Sequence, residues 1–85
     1  MLEPDTSPRE NAAIGTRLTS LFASVLDVDE VGPDDDFFEL GGDSLAVIRL
    51  VARVRQHLSV EIAPGDVFDH PTVSSLVRFL AQQRG

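Results

Sequence analysis

Apolar residues recur at helical spacing in three stretches of this chain, and proline and glycine breakers part them. Val47, Leu50, Val51, Val54 and Leu58 fall on one side of a helix at about 100° per residue. Ile14, Leu18, Leu21, Phe22 and Val25 form a second such stripe. Val73, Leu76, Val77 and Leu80 form a third. Each stripe must be buried against another, so the chain is expected to be an all-α bundle.

The helix ends can be placed from local chemistry. Ser7-Pro8-Arg9-Glu10 reads as a capping box with proline at the first helical position. The first helix then runs to about Leu26, with Gly15 costing it about 1 kcal/mol relative to alanine. Residues 27–43 hold eight of the fourteen acids, with Gly32-Pro33 and Gly41-Gly42 as breakers. This is expected to be a long ordered loop with a short helical turn near Asp36 to Leu40. Phe37, Phe38 and Leu40 would pin it to the core, and long loops in compact domains are usually functional. The second helix spans about Ser44 to Leu58, and Ser59 to Ala63 is a connector. Pro64 starts a short third helix ending near Asp69, anchored by Val67 and Phe68. The last helix runs to about Gln83. Its start is ambiguous: Pro71 suits the first helical position, and Thr72 could be the cap.

At 85 residues the chain forms one small domain at most, able to close a core only marginally. Residues 1–6 are expected to fray, residues 7–83 to form the domain, and residues 84–85 to end it. Seven Arg, no Lys and a net charge of −7 argue against a nucleic-acid partner, which needs a clustered basic surface. The absence of cysteine excludes a disulfide framework, a thiolate metal site and a cysteine nucleophile. His57 and His70 alone are too few for a zinc site, so no metal is expected. No apolar run reaches the roughly 20 residues of a membrane span, and no secretory leader is visible. A soluble, cytoplasmic monomer is therefore expected. It is too small to enclose a deep active site, so its function should need partners.

The second helix carries two features of interest. Leu45 projects almost opposite the centre of the core stripe, with Ile48 on the flank beside it. Isolated surface apolar residues are normal; the alternative is a small docking patch. Arg49, Arg53 and Gln56 should be solvated. Ser44 lies at the helix mouth after Gly41-Gly42-Asp43. It could be an ordinary N-cap. However, Asp43 is already an adequate cap, and two glycines leave the serine open to another protein. A helix N-terminus also favours an anion such as a phosphodiester.

Rival motifs fail on the residues. A hydrolase elbow needs G-x-S-x-G, but Gly42-Asp43-Ser44-Leu45 is followed by Ala46. A Ser-His-Asp site here would lack an oxyanion hole and a shielded cleft. An EF-hand starting at Asp27 fails at Val31 and at Phe38, where a bidentate glutamate belongs. No phosphate-binding glycine loop is present.

The run Asp36-Phe37-Phe38-Glu39-Leu40-Gly41-Gly42-Asp43-Ser44-Leu45 resembles the phosphopantetheine attachment motif of carrier proteins, in its peptidyl carrier (thiolation) form. The resemblance covers about residues 10–83. It includes Arg49, the run Val54-Arg55-Gln56-His57-Leu58, and Val67-Phe68-Asp69-His70-Pro71-Thr72-Val73. It implies an acyl-carrier-like four-helix bundle, with three main helices and a short third one. It also implies a covalent 4′-phosphopantetheine on Ser44, taken from coenzyme A by a phosphopantetheinyl transferase. The arm's thiol would hold an aminoacyl or peptidyl thioester in nonribosomal peptide or related natural-product biosynthesis. This fits a chain without cysteine, and it makes the domain a tether and not an enzyme.

Under the resemblance, Gly41 and Gly42 allow close approach and Asp43 lies near the transferase's magnesium. Leu45, Ile48 and Phe68 form the expected docking surface. The other expected partners are an adenylating enzyme and downstream condensation or tailoring enzymes. Fatty-acid carriers typically show acids along the second helix. Here that helix carries Arg49, Arg53 and Arg55, which should repel basic partners and favours the aminoacyl type. Asp43 in place of the family's frequent histidine points to a particular downstream partner, such as an epimerisation domain, or to a free-standing carrier. Met1 and the end at Gly85 suggest a discrete protein, the alternative being an excised segment of a larger one. The runners-up are an acyl or aryl carrier of a polyketide or fatty-acid-type pathway, and a helical interaction module without a prosthetic group.

Overall fold

The computed structural model describes the backbone of residues 8–84 and the side chains of residues 12–83. Four helices follow in order: α1 (Pro8–Leu26), α2 (Ser44–Leu58), α3 (Pro64–Asp69) and α4 (Val73–Arg84). Among the described residues there is no strand. The expected all-α bundle of three main helices and a short third one is the fold that forms. The capping box at Ser7 and the leader of residues 1–6 lie outside the described residues, as does Gly85. Among the described residues no helix is long and apolar enough to cross a membrane.

The three stripes meet as their periodicity requires. Leu18, Leu21 and Phe22 of α1 pack with Val47, Leu50 and Val54 of α2 and with Val73, Leu76 and Leu80 of α4, all buried. α1 touches both α2 and α4 along its length, while α3 leans mainly on α2. Val67 is the buried anchor of α3, and Phe68 beside it is exposed.

Each helix stops for a local reason. Asp27 adopts a left-handed φ of 58° after α1, and the N–H of Val28 donates to the carbonyl of Ala23 at 3.1 Å. That is the Schellman arrangement, with aspartate tolerating the conformation usually given to glycine. Ser59 ends α2 similarly, with φ 57° and its N–H on the carbonyl of Arg55. Thr72 is the residue that caps α4. Its Oγ1 accepts from the N–H of Ser75, and its own N–H donates to Ser75 Oγ, both at 3.1 Å. Pro71 therefore precedes the helix, which resolves the ambiguity at this boundary.

The acidic loop is held at several points along its length. Val31 and Phe37 are buried, and the Phe37 ring meets Phe22 edge-on at 5.2 Å between centroids. The N–H of Phe37 donates to the carbonyl of Pro71 at 2.8 Å. The N–H of Ser74 donates to the carbonyl of Pro33 at 3.0 Å. These two bonds fasten the loop to the joint between α3 and α4. Its acids still face water: no charged side chain is buried among the described residues.

Candidate functional site

Asp36 organises the turn that leads to Ser44. Its Oδ1 accepts from the N–H groups of Phe38 at 2.8 Å and Glu39 at 3.2 Å. The N–H of Leu40 donates to the Asp36 carbonyl, that of Gly41 to Phe38 and that of Gly42 to Phe37. This is the short helical turn expected near Asp36 to Leu40, reduced to one hydrogen-bonded turn.

The two glycines are required for different reasons. Gly41 has φ +109°, which side chains with a Cβ rarely adopt, and the space around it is open. Gly42 lies directly on Phe37. A Cβ there would come within 2.5 Å of the ring and 2.8 Å of the Phe37 carbonyl. One glycine lets the chain turn, and the other lets it lie against the core.

Asp43 then caps α2. It is extended, with φ −129° and ψ −173°, and its Oδ1 accepts from the N–H of Ala46 at 2.9 Å. Its carbonyl accepts from Val47 at 2.9 Å. Ser44 is therefore the first helical residue and not the cap. Because Asp43 does the capping, the Ser44 hydroxyl is free, and it is exposed. The N–H groups of Ser44 and Leu45 have no acceptor among the described residues, as first-turn donors commonly do not. An exposed hydroxyl beside free donors at the positive end of a helix suits a phosphodiester-linked group.

Neither histidine hydrogen-bonds this serine among the described residues. His57 follows Ser44 on the same helix, about 20 Å further along its axis. The His70 ring is stacked on Phe79 of α4, 4.7 Å between centroids and 24° between planes. Among the described residues no group of three metal-ligating side chains occurs.

Leu45 and Ile48 are each 58% exposed and Phe68 is 53% exposed, the large hydrophobic side chains left in solvent among the described residues. The ring of Phe68 stacks on Phe38, which in turn meets Phe37 edge-on at 5.4 Å. Phe38, expected to pin the loop to the core, does so; its stacking on Phe68, which links α3 to the turn before Ser44, is the part the sequence did not foretell. Arg49, Arg53 and Gln56 are exposed, as their helical phase predicts. Arg55 pairs with Glu61 at 4.0 Å, but both side chains are well exposed and such a pair adds little.

Residues 16–80 match the family model described as "Phosphopantetheine attachment site". A probable non-canonical nonribosomal peptide synthetase, CymA, of Salinispora arenicola is 47% identical over 68 residues, 80% of this chain. The chain spans only 1% of that relative's length. BlmI, a type-II acyl carrier protein of Streptomyces verticillus involved in bleomycin biosynthesis, superposes with TM-score 0.85 at 25% identity. That match covers 93% of this chain and all of the other. A peptidyl carrier protein solved with the phosphopantetheine transferase Sfp and coenzyme A superposes with TM-score 0.76 at 26% identity. It covers 96% of this chain and 99% of the other.

Proposed function

The chain belongs to the phosphopantetheine attachment family, and from that premise we propose that Ser44 is the residue that bears the arm. Carriers of this family hold covalent 4′-phosphopantetheine, whose terminal thiol supplies a site for acyl groups as thioesters. The observation that carries the residue assignment is the division of labour at the start of α2. Asp43 caps the helix, so Ser44 Oγ stands exposed with no intramolecular partner among the described residues.

Loading joins Ser44 Oγ to the phosphorus that carries pantetheine in coenzyme A. The pyrophosphate bond breaks, adenosine bisphosphate leaves, and the hydroxyl proton passes to a base of the transferase. Neither histidine is hydrogen-bonded to Ser44 among the described residues. That supports a tethering role and disfavours hydrolysis. The free N–H groups of Ser44 and Leu45 would face the new phosphodiester. Gly41 lets the chain turn and Gly42 lets it lie against Phe37, and Asp43 would sit beside the transferred phosphate and the transferase's magnesium.

Leu45, Ile48 and Phe68 would provide the apolar surface on which a transferase, an adenylating enzyme and condensation or tailoring enzymes dock. The synthetase relative and the peptidyl carrier neighbour support an aminoacyl or peptidyl cargo. The basic residues of α2 support the same subtype over a fatty-acid carrier. Residues 7–83 are the unit proposed to act as the carrier.

Intact-mass measurement after incubation with coenzyme A and a promiscuous phosphopantetheinyl transferase tests the assignment. One phosphopantetheinyl increment should form and should vanish in Ser44→Ala with the fold retained. An increment that persists in Ser44→Ala would place attachment elsewhere.

A further inference from the structure

Arg49, Arg53 and His57 follow one another at spacings of four along α2. They therefore line one flank of the helix, about 6 Å apart along its axis. α1 runs beside that flank. Arg17 of α1 donates to the carbonyl of His57 at 3.1 Å, and Arg53 donates to the hydroxyl of Ser24 on α1 at 3.3 Å. The two bonds cross the helix pair in opposite directions. They hold both guanidinium groups over an open groove of about 400 Å³ that Ser20 and Leu21 also line.

Each bond uses one of the five N–H groups of an arginine, so donors remain for a ligand. Among the described residues the one ion pair is Arg55–Glu61, and the helical phase of Arg55 puts it on the other flank of α2. No carboxylate of a described residue lies within 4.0 Å of Arg17, Arg49 or Arg53. The chain has fourteen acids and a net charge of −7, yet none of the acids falls on α2. Among the described residues a positive stripe thus stands without an ion-pair partner on an acidic protein.

We propose that this groove between α1 and α2 binds an acidic segment of a partner protein, with carboxylates about one helical turn apart. A glutamate stripe at spacings of four would meet Arg53 and His57 in the groove and Arg49 one turn beyond its lining, and Arg17 would close on it from α1. Arginine forks suit carboxylates bidentately. The acidity of the whole molecule selects the kind of occupant. A membrane or a nucleic acid presents an extended anionic surface, which the surrounding acids repel. A short segment can rest on the stripe itself, whose arginines have no carboxylate of a described residue within 4.0 Å, and charges beyond a Debye length of about 8 Å are screened from it. The groove lies along the half of α2 away from Ser44, so an occupant would leave that end of the helix accessible.

The test is an amide NMR titration of the folded chain with a synthetic helical peptide carrying glutamates at i, i+4 and i+8 on an alanine background. Amides of Arg17–Ser24 and Arg49–His57 should shift, while those of Ser44 and Phe68 stay in place. Affinity should fall as salt rises, and by about tenfold or more in Arg49→Glu or Arg17→Glu. Arg49 makes no intramolecular hydrogen bond among the described residues, so its variant should keep the fold. The proposal is overturned if groove amides do not move, or if a lysine peptide moves them equally. It also fails if phosphatidylglycerol vesicles produce the same shifts as strongly, or if raising the protein concentration alone does so, which would make the occupant a membrane or a second copy.

Discussion

The ring of Phe38 lies flat against that of Phe68, centroids 5.0 Å apart and planes 9° from parallel. The pair is the side-chain clip between the turn before Ser44 and the short helix α3. An aromatic pair of this kind contributes about 0.5–1.5 kcal/mol beyond its area burial. A double-mutant cycle of Phe38→Ala and Phe68→Ala, followed by urea unfolding, should return a coupling energy in that range. Additive losses would mean that the rings touch without stabilising each other.

Gly42 should tolerate no side chain. Gly42→Ala forces a Cβ onto the Phe37 ring and carbonyl, and overpacking of this kind costs about 1–3 kcal/mol. Gly41→Ala meets nothing nearby and costs a similar amount, about 1–3 kcal/mol, through its backbone conformation alone. Phe37→Leu should partly rescue Gly42→Ala and leave Gly41→Ala unchanged. Thermal melts of the three single variants and the two doubles check this.

Asp43 has two separable roles. Asp43→Ala removes the cap on Ala46 and should cost about 0.5–2 kcal/mol. Asp43→Asn keeps a capping oxygen and should restore most of that stability. If the carboxylate also faces the transferase's magnesium, phosphopantetheine loading should stay slow in Asp43→Asn. Recovery of loading together with stability would assign the residue to capping only.

Leu45→Asp and Ile48→Asp should leave the fold intact, because both side chains already face solvent. Stability should change by no more than about 0.5 kcal/mol. Loading by the transferase should nevertheless slow. Unchanged loading and unchanged partner turnover, with the fold preserved, would remove these residues from the docking surface.

The helix ends were legible because each is decided within a few residues. The apolar stripes located the core faces of α1, α2 and α4, and Pro64 marked the start of α3. Two boundaries stayed open: Ser44 against Asp43, both able to cap, and Pro71 as first helical residue against Thr72 as cap. Only the hydrogen bonds to Ala46 and Ser75 decide them. The contact of Phe38 with Phe68 was not legible, since it depends on how the acidic loop is laid against α3. Nor was the reach of Arg53 to Ser24. Helical phase placed the arginine in solvent, but a long side chain can be exposed and still be hooked to a neighbouring helix.

The bonds from Phe37 to Pro71 and from Ser74 to Pro33 join parts of the chain far apart in sequence. The turn that presents Ser44 closes on its own local bonds, but it is fastened to the rest of the molecule only once the start of α4 has folded back. If Ser44 bears the arm, a nascent chain still lacking its last helix would offer that serine on a turn without these two anchors. A chain truncated after Asp69 should accordingly be a poor substrate for the transferase, although the whole Asp36-to-Leu45 motif is present.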